Sequence, residues 1–514
     1  MKKIILAGIA CFVFLPAAES ATTFRQVRIP FTSWPRGIAD LAVVDVNKDG
    51  IADVVTIEGS SEEYPDKVRV FLGDKKAAFL SQYWKGSDWS YQMVAPIAAT
   101  GDLTGDKRVD IAVSSGYNWF LIFPGKGNGD LLAPIKIVPS GAYAQCPTHW
   151  TGGLDFNGDR KLDLAGRISD GSINTFRNLG NKKFEVTSFG LGQKITGVAG
   201  GDFNGDGSAD VVGGSGSTLR FFKNNGDGTF GIPVVSSLGE NVGPHLAAAD
   251  INGDGRLDLL GDSSSAGRPG WSMLGNGKGT FANKKSFPAK PSLHYGFTVF
   301  DYTADGKPDV AAPGSKGGID LFRGLGNGGF AAGDKLASMF NFTLNKGSKC
   351  NNKNIASGDV NGDKVDDLAA IVWFPGEDFM EPAVLVYLTG VAPVSPSISN
   401  LSIPTLSYSG GKAYVGGSVD FQHPEGDVRN TGHMAMDGAF IEFTVVLNFG
   451  ASGTRSTKLQ LGGSWSTNFP GQTAGTISFN VEIYNNTWPS GTPTLSVKSF
   501  SLYDFNFVQS NVLL

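Results

Sequence analysis

The sequence predicts an all-β chain, a seven-bladed β-propeller followed by a small β-sandwich. Three observations carry this. Glycine is very abundant, at 71 of 514 residues, and Val, Phe and Thr fall in short runs between turn signals. No long stretch shows helical apolar spacing. Above all, one nine-residue pattern, D-x-[NT]-x-D-x-x-x-D, occurs seven times and sets a period near 50 residues, the scale of propellers and solenoids.

The chain opens MKKIILAGIACFVFLPAAESA. Lys2 and Lys3, an apolar run from Ile4 to Leu15 and small residues up to Ser20 predict a secretory signal peptide over residues 1–20. The expected location is therefore periplasmic, cell-surface or extracellular. Cys11 invites a lipid anchor, but Gly8 is a poor residue three positions before it and the apolar run continues past it. No later apolar run is long enough for a membrane span, so no transmembrane segment is expected after cleavage.

The copies begin at Asp45, Asp102, Asp155, Asp202, Asp250, Asp301 and Asp359, with starts 57, 53, 47, 48, 51 and 58 residues apart. Around each the same elements return. In the fourth copy they are VAGG before Asp202, ADVVGG after it, LRFFKNN, a Gly-rich turn NGDG and a strand opening TF. Four strands per copy make one propeller blade. The seventh copy runs into VLVYLTG and stops before a fourth strand. The segment ATTFRQVRIPF reads like the missing piece, and its pairing there would leave no open sheet edge. The propeller is thus expected over residues 21–391.

This repeat resembles the FG-GAP/VCBS family, which includes the integrin α-subunit propellers and calcium-containing propeller lectins. The resemblance covers about three quarters of the chain. It implies that the nine-residue loops lie on the lower face and pin the first two strands of each blade.

Calcium takes six to eight oxygen ligands at about 2.3–2.6 Å, and a tight loop can offer them from side chains at positions 1, 3, 5 and 9 and from the carbonyl at position 7. The predicted ligands are Asp45, Asn47, Asp49, Ile51 and Asp53 in the first loop, and Asp102, Thr104, Asp106, Arg108 and Asp110 in the second. The third offers Asp155, Asn157, Asp159, Lys161 and Asp163, and the fourth Asp202, Asn204, Asp206, Ser208 and Asp210. The fifth offers Asp250, Asn252, Asp254, Arg256 and Asp258, the sixth Asp301, Thr303, Asp305, Lys307 and Asp309, and the seventh Asp359, Asn361, Asp363, Val365 and Asp367. Up to seven structural Ca2+ ions are expected. The loops hold 21 of the 48 acidic residues, and without them a net charge of −5 would become +16. Gly at position 6 permits the positive φ of a sharp turn. Lys107, Arg160 and Lys364 replace it, and Thr104 and Thr303 replace the Asn at position 3, which makes the second loop the poorest candidate. The EF-hand alternative fails, because that loop ends in Glu at position 12 and is flanked by helices.

If the blades are built as the resemblance implies, residues five to ten positions before each loop lie on the opposite face around a central channel. They are Trp34 and Arg36; Trp89, Tyr91 and Gln92; Cys146, His149 and Trp150; Gln193 and Lys194; Glu240, Asn241 and His245; His294 and Tyr295; Cys350, Asn352 and Asn354. Trp34, Arg36, Trp89, Tyr91, His149, Trp150, His245, His294 and Tyr295 are the candidate ligand-binding set. Ring faces cover sugar C–H surface while amides and charges satisfy hydroxyls, so carbohydrate or a polar segment of a surface or envelope protein is the expected partner. The bland alternative is a plug of aromatics filling the channel. A transition-metal site at His149, His245 and His294 is a further alternative. Cys146 and Cys350 form a disulfide only if their loops fold over the channel mouth, since their blades stand nearly opposite.

From about residue 392 the repeat is gone. VAPVSPSIS reads as a linker, and strand-like runs such as AFIEFTVVLNF and TISFNVEIY predict an Ig-like or fibronectin-like sandwich over residues 392–514. The functional expectation is a calcium-binding adhesion or lectin-like module, with no catalytic residues. The alternative is a polysaccharide hydrolase or lyase at the channel mouth, for which Glu240 and the rim histidines are the acid/base candidates. The sequence lacks GxSxG and HExxH. It also lacks a basic run or recognition motif for nucleic acid.

Overall fold

Apolar runs of four to eight residues cut by Gly-rich turns leave no room for a helix, and every regular element among the described residues is a strand. The computed structural model describes residues 23–29, 38–58, 67–77, 79–85, 97–114, 119–138, 149–168, 170–264, 269–288, 296–314, 318–336, 354–375, 380–391, 397–409, 412–422, 440–448, 454–461, 474–484 and 494–503. Residues 1–20, where the sequence predicts a signal peptide, and residues 392–396 of the expected linker VAPVSPSIS lie outside them, while its last three residues open the strand Ser397–Ser409.

Each copy of the nine-residue pattern sits between the first two strands of a four-stranded antiparallel sheet. In the fourth sheet these strands are Val198–Gly201, Asp210–Ser215, Thr218–Phe222 and Val234–Ser237, hydrogen-bonded in sequence order. Successive side chains point to opposite faces. Val212, Leu219 and Phe221 therefore pack toward the fifth sheet, while Val211 and Phe222 pack toward the third. Burial on both faces explains why the strands read as continuous apolar runs instead of alternating ones.

The first strands of the seven sheets are Ile38–Val44, Ile97–Gly101, His149–Leu154, Val198–Gly201, Val242–Ala249, Thr298–Phe300 and Ile355–Gly358. The fourth and fifth sheets join through a parallel bridge, Val198 to His245, into one eight-stranded sheet. The seventh sheet takes its outer strand from the other end of the chain. Phe24–Arg28 pairs antiparallel with Met380–Thr389, Phe24 opposite Thr389 and Arg28 opposite Leu385.

Among the described residues, seven hydrophobic clusters lie between consecutive sheets. One holds Val55, Ile57, Ile111 and Val113 between the first and second. Others link second to third, third to fourth, fourth to fifth, fifth to sixth and sixth to seventh. The last holds Val384 and Val386 of the seventh sheet against Val54 and Phe71 of the first, so the succession of sheets closes on itself.

Beyond this array stand two three-stranded sheets. One orders Ser397–Ser409, Lys412–Gln422 and Ala474–Tyr484, the other Thr454–Leu461, Phe440–Asn448 and Thr494–Tyr503. Val415, Val419, Val445 and Leu447 are fully buried there.

Candidate functional site

All seven loops adopt one conformation, and backbone amides explain it. The carboxylate at position 1 accepts the amide of position 6 in every copy, from Gly50 to Asp45 at 2.9 Å through Lys364 to Asp359 at 2.8 Å. Oδ1 of the position-5 Asp accepts the position-7 amide in every copy, at 2.8–3.0 Å. These bonds hold positions 4 and 6 at positive φ throughout. Gly207 has φ 86°, and Lys107, Arg160 and Lys364 are held at 67°, 66° and 70° despite their side chains.

The position-2 residue anchors each loop. Val46, Leu103, Phe156, Phe203, Ile251, Tyr302 and Val360 are all buried, each inside the cluster that joins its sheet to a neighbour.

Position 9 has a role that the spacing alone does not reveal. Asp53, Asp110, Asp163, Asp210, Asp258, Asp309 and Asp367 are essentially inaccessible. In each, Oδ2 accepts an amide from the start of its own loop, as Val46 to Asp53 at 2.8 Å. Oδ1 accepts the amide of a residue at or just past the end of the third strand: Gly73, Gly125, Asn178, Asn224, Gly275, Gly324 and Thr389. One carboxylate thus ties the loop and the first three strands together. Burial, with the other loop carboxylates beside it, pushes Asp53, Asp163, Asp210, Asp258 and Asp309 up to about 6 and Asp367 to about 7.

The donor chemistry fits calcium. Every loop presents hard carboxylate oxygens, and an ionised carboxylate has about four acceptor sites, of which the backbone amides take only some. The second loop, the poorest by sequence, is the one in which Asp102, Asp106 and Asp110 bring oxygens within 4.8 Å of one another, alone in this among the described residues.

A second feature lies where the first strands of the first five sheets meet. A cavity of about 230 Å³ is lined by residues that include Asp40, Thr100, His149, Trp150, Thr151 and His245. The His149 and His245 rings lie 6.1 Å apart at 68°. Burial, then the neighbouring His245 and Arg167, pushes His149 down to about 3, so the imidazole is neutral at ordinary pH. Trp150 stacks at a tilt on Phe176, 5.4 Å away. Its indole N–H is buried and has no hydrogen-bond partner among the described residues. Asp40 is buried and accepts the amides of Leu41 at 2.9 Å and Ile97 at 2.7 Å, joining the first two sheets.

Of the predicted rim, then, the structure brings together His149, Trp150 and His245. Trp34, Arg36, Trp89, Tyr91, Gln92, Cys146, His294, Tyr295, Cys350 and Asn352 lie outside the described residues, and with them the disulfide and the third histidine of a metal site. Glu240 is ion-paired with Lys284 and is not part of the cavity wall. Asn354 is buried, with its carbonyl accepting the Ile371 amide at 2.9 Å. Asp40 was missed in the sequence. It stands five residues before the first loop, inside the rim window, but within the apolar run IADLAVV it reads as an ordinary strand residue.

FG-GAP-like repeats are found in the chain, at residues 155–213, 202–261 and 301–370. Among solved structures it is similar to an Agrocybe aegerita lectin described as specifically recognising non-reducing terminal N-acetylglucosamine. That match has 23% identity and a TM-score of 0.45, and covers 63% of this chain and 82% of the lectin. It is also similar to a chain of the mitotic checkpoint complex, at 12% identity and TM-score 0.42, covering 76% and 98% of the two chains. A third match is the Photorhabdus luminescens Tc holotoxin pore, at 15% identity and TM-score 0.34, covering 72% of this chain and 18% of that one. No curated protein matches the sequence.

Proposed function

We propose that the chain is an exported, calcium-stabilised binding module: a seven-bladed propeller over residues 21–391 followed by an Ig-like or fibronectin-like sandwich over 392–514. The seven four-stranded sheets are the blades, and the FG-GAP-like repeats support this reading. Calcium would be held by loop residues such as Asp202, Asn204 and Asp206, and would neutralise the clustered carboxylates and add its binding free energy to folding. The ligand site is the central cavity, and the observation that carries it is the buried, unpartnered indole N–H of Trp150 in the cavity wall. A buried donor without an acceptor is costly, and a ligand oxygen would relieve that cost. Neutral His149, His245 and the threonine hydroxyls add further donors and acceptors around an aromatic face, a combination suited to one sugar residue or one polar side chain of a surface protein. Asp40, His149 and His245 share the cavity wall, and the role proposed for them is binding without catalysis.

The test combines two measurements on purified protein. Melting with excess calcium and with chelator, alongside elemental analysis, should show bound calcium and a clear loss of melting temperature on chelation. A panel of immobilised sugars should then give a ligand whose affinity falls about tenfold in Trp150→Phe, which keeps an aromatic ring and removes the N–H along with the pyrrole part of the indole. Equal affinity in the variant would move the site elsewhere, and turnover of a polysaccharide would replace binding with catalysis.

A further inference from the structure

Three of the seven loops carry a lysine ammonium on the position-5 carboxylate. Lys161 Nζ lies 2.8 Å from Asp159 Oδ2, Lys307 Nζ 2.7 Å from Asp305 Oδ2 and Lys223 Nζ 3.1 Å from Asp206 Oδ2. The lysines come from different places. Lys161 and Lys307 are position 7 of their own loops, whereas the fourth loop has Ser208 there and receives its ammonium from Lys223, just past the strand Thr218–Phe222. The same charge reaches the same oxygen by two routes. In each case Oδ1 stays with the position-7 amide, so the ammonium takes the oxygen that the turn leaves over.

The other loops differ. The first and seventh have Ile51 and Val365 at position 7, and their position-5 Oδ2 accepts a side-chain amide, from Asn47 at 2.9 Å and Asn361 at 3.0 Å. In the second, Arg108 stays 3.8 Å from Asp106 while the three carboxylates converge. The fifth is intermediate, with Arg256 at 3.6 Å from Asp254.

A cation already hydrogen-bonded to a carboxylate oxygen must be displaced, or tolerated as a like charge, when calcium takes that oxygen. We infer that Lys161, Lys223 and Lys307 are internal counter-ions that set the calcium affinity of the third, fourth and sixth loops below that of the first, second and seventh. This rests on the reading that the loops take calcium. The lysine side chains are 41%, 56% and 44% exposed, so solvent screens the competition. The expected effect is about three- to tenfold in affinity per loop.

Equilibrium dialysis with radiolabelled calcium over a range of free concentrations reads this directly. The wild-type isotherm should split into tighter and weaker classes. Replacing all three lysines (Lys161→Met, Lys223→Met, Lys307→Met) keeps the apolar stems and should draw three ions of the weaker class about three- to tenfold tighter at unchanged total. Should that variant not fold, Ile51→Lys with Val365→Lys tests the converse and should weaken two of the tighter sites by the same factor. Isotherms that superimpose on wild type would overturn the inference and leave calcium binding standing. No bound calcium in any of the proteins would overturn the calcium reading and the inference with it.

Discussion

Asp262 is 1% exposed, with Oδ1 accepting the His245 amide at 3.0 Å and its carbonyl accepting the Trp271 indole N–H at 2.9 Å. Burial pushes its carboxyl up to about 7, from about 4 in an unfolded chain. A carboxyl raised in this way contributes stability that is fully present below about pH 4 and is lost as pH rises through about 7, because the unfolded chain ionises first. Asp262→Asn keeps an acceptor for the His245 amide and carries no charge. Its stability relative to wild type should therefore grow between pH 4 and pH 8, by about 1–3 kcal/mol. Melting curves at the two pH values measure this, and a constant difference would mean that the carboxyl titrates normally in the fold. Nothing in the sequence flags Asp262, which sits in the run DLLGDSSS as one more polar residue near the end of the strand Asp258–Ser263. The loop aspartates, by contrast, are legible from spacing alone, since their partners are amides two to seven residues away.

At the scale of the element, the residue at the end of the third strand decides how each four-stranded sheet is locked. Where it is glycine, the backbone closes tightly on the residue before the position-9 Asp. A Cβ on Gly275 would stand 2.1 Å from the Leu257 carbonyl oxygen, and on Gly125 2.1 Å from that of Val109. Where it is asparagine, the side chain ties two loops together. Asn224 Nδ2 donates to Ala209 O at 2.8 Å and to Phe156 O of the preceding loop at 2.7 Å, and Asn178 does the same with Leu162 and Leu103. Gly275→Ala should cost about 2–3 kcal/mol by overpacking, and Asn224→Ala about 1–3 kcal/mol by stranding two buried carbonyls. Urea unfolding midpoints check both, and wild-type midpoints would refute the locking role. This element is hidden in the sequence because its distance from the aspartate varies among 20, 15, 15, 14, 17, 15 and 22 residues, following the lengths of the strands between. The loop has a fixed period, and its partner does not.

Across the whole molecule, the seven clusters mean that no sheet of the array stands at an end. The sequence makes the seven units legible because each must repeat the same short-range turn. The central cavity was only partly legible, since it is assembled from residues some fifty positions apart whose side chains obey no common pattern, such as Asp40, His149 and His245. The seventh sheet is the point of closure. A protein beginning at residue 30 would leave the backbone of Met380–Thr389 unpaired along one edge. It should melt at a lower temperature than the full chain and associate with rising concentration. Size-exclusion chromatography with melting curves decides this, and a monomer of unchanged melting temperature would show that the closing strand is dispensable. The same closure has a topological consequence. The amide of Gly390 donates to the carbonyl of Thr23 at 2.8 Å, so the two ends of the repeat array meet. The backbone of the array is then a loop interrupted at one place, and the position of the interruption is arbitrary as far as packing is concerned. Splicing residues 23 and 390 through a short linker and reopening the chain between any other pair of sheets yields a cyclic rearrangement of the same contacts, with the clasp moved to a different sheet.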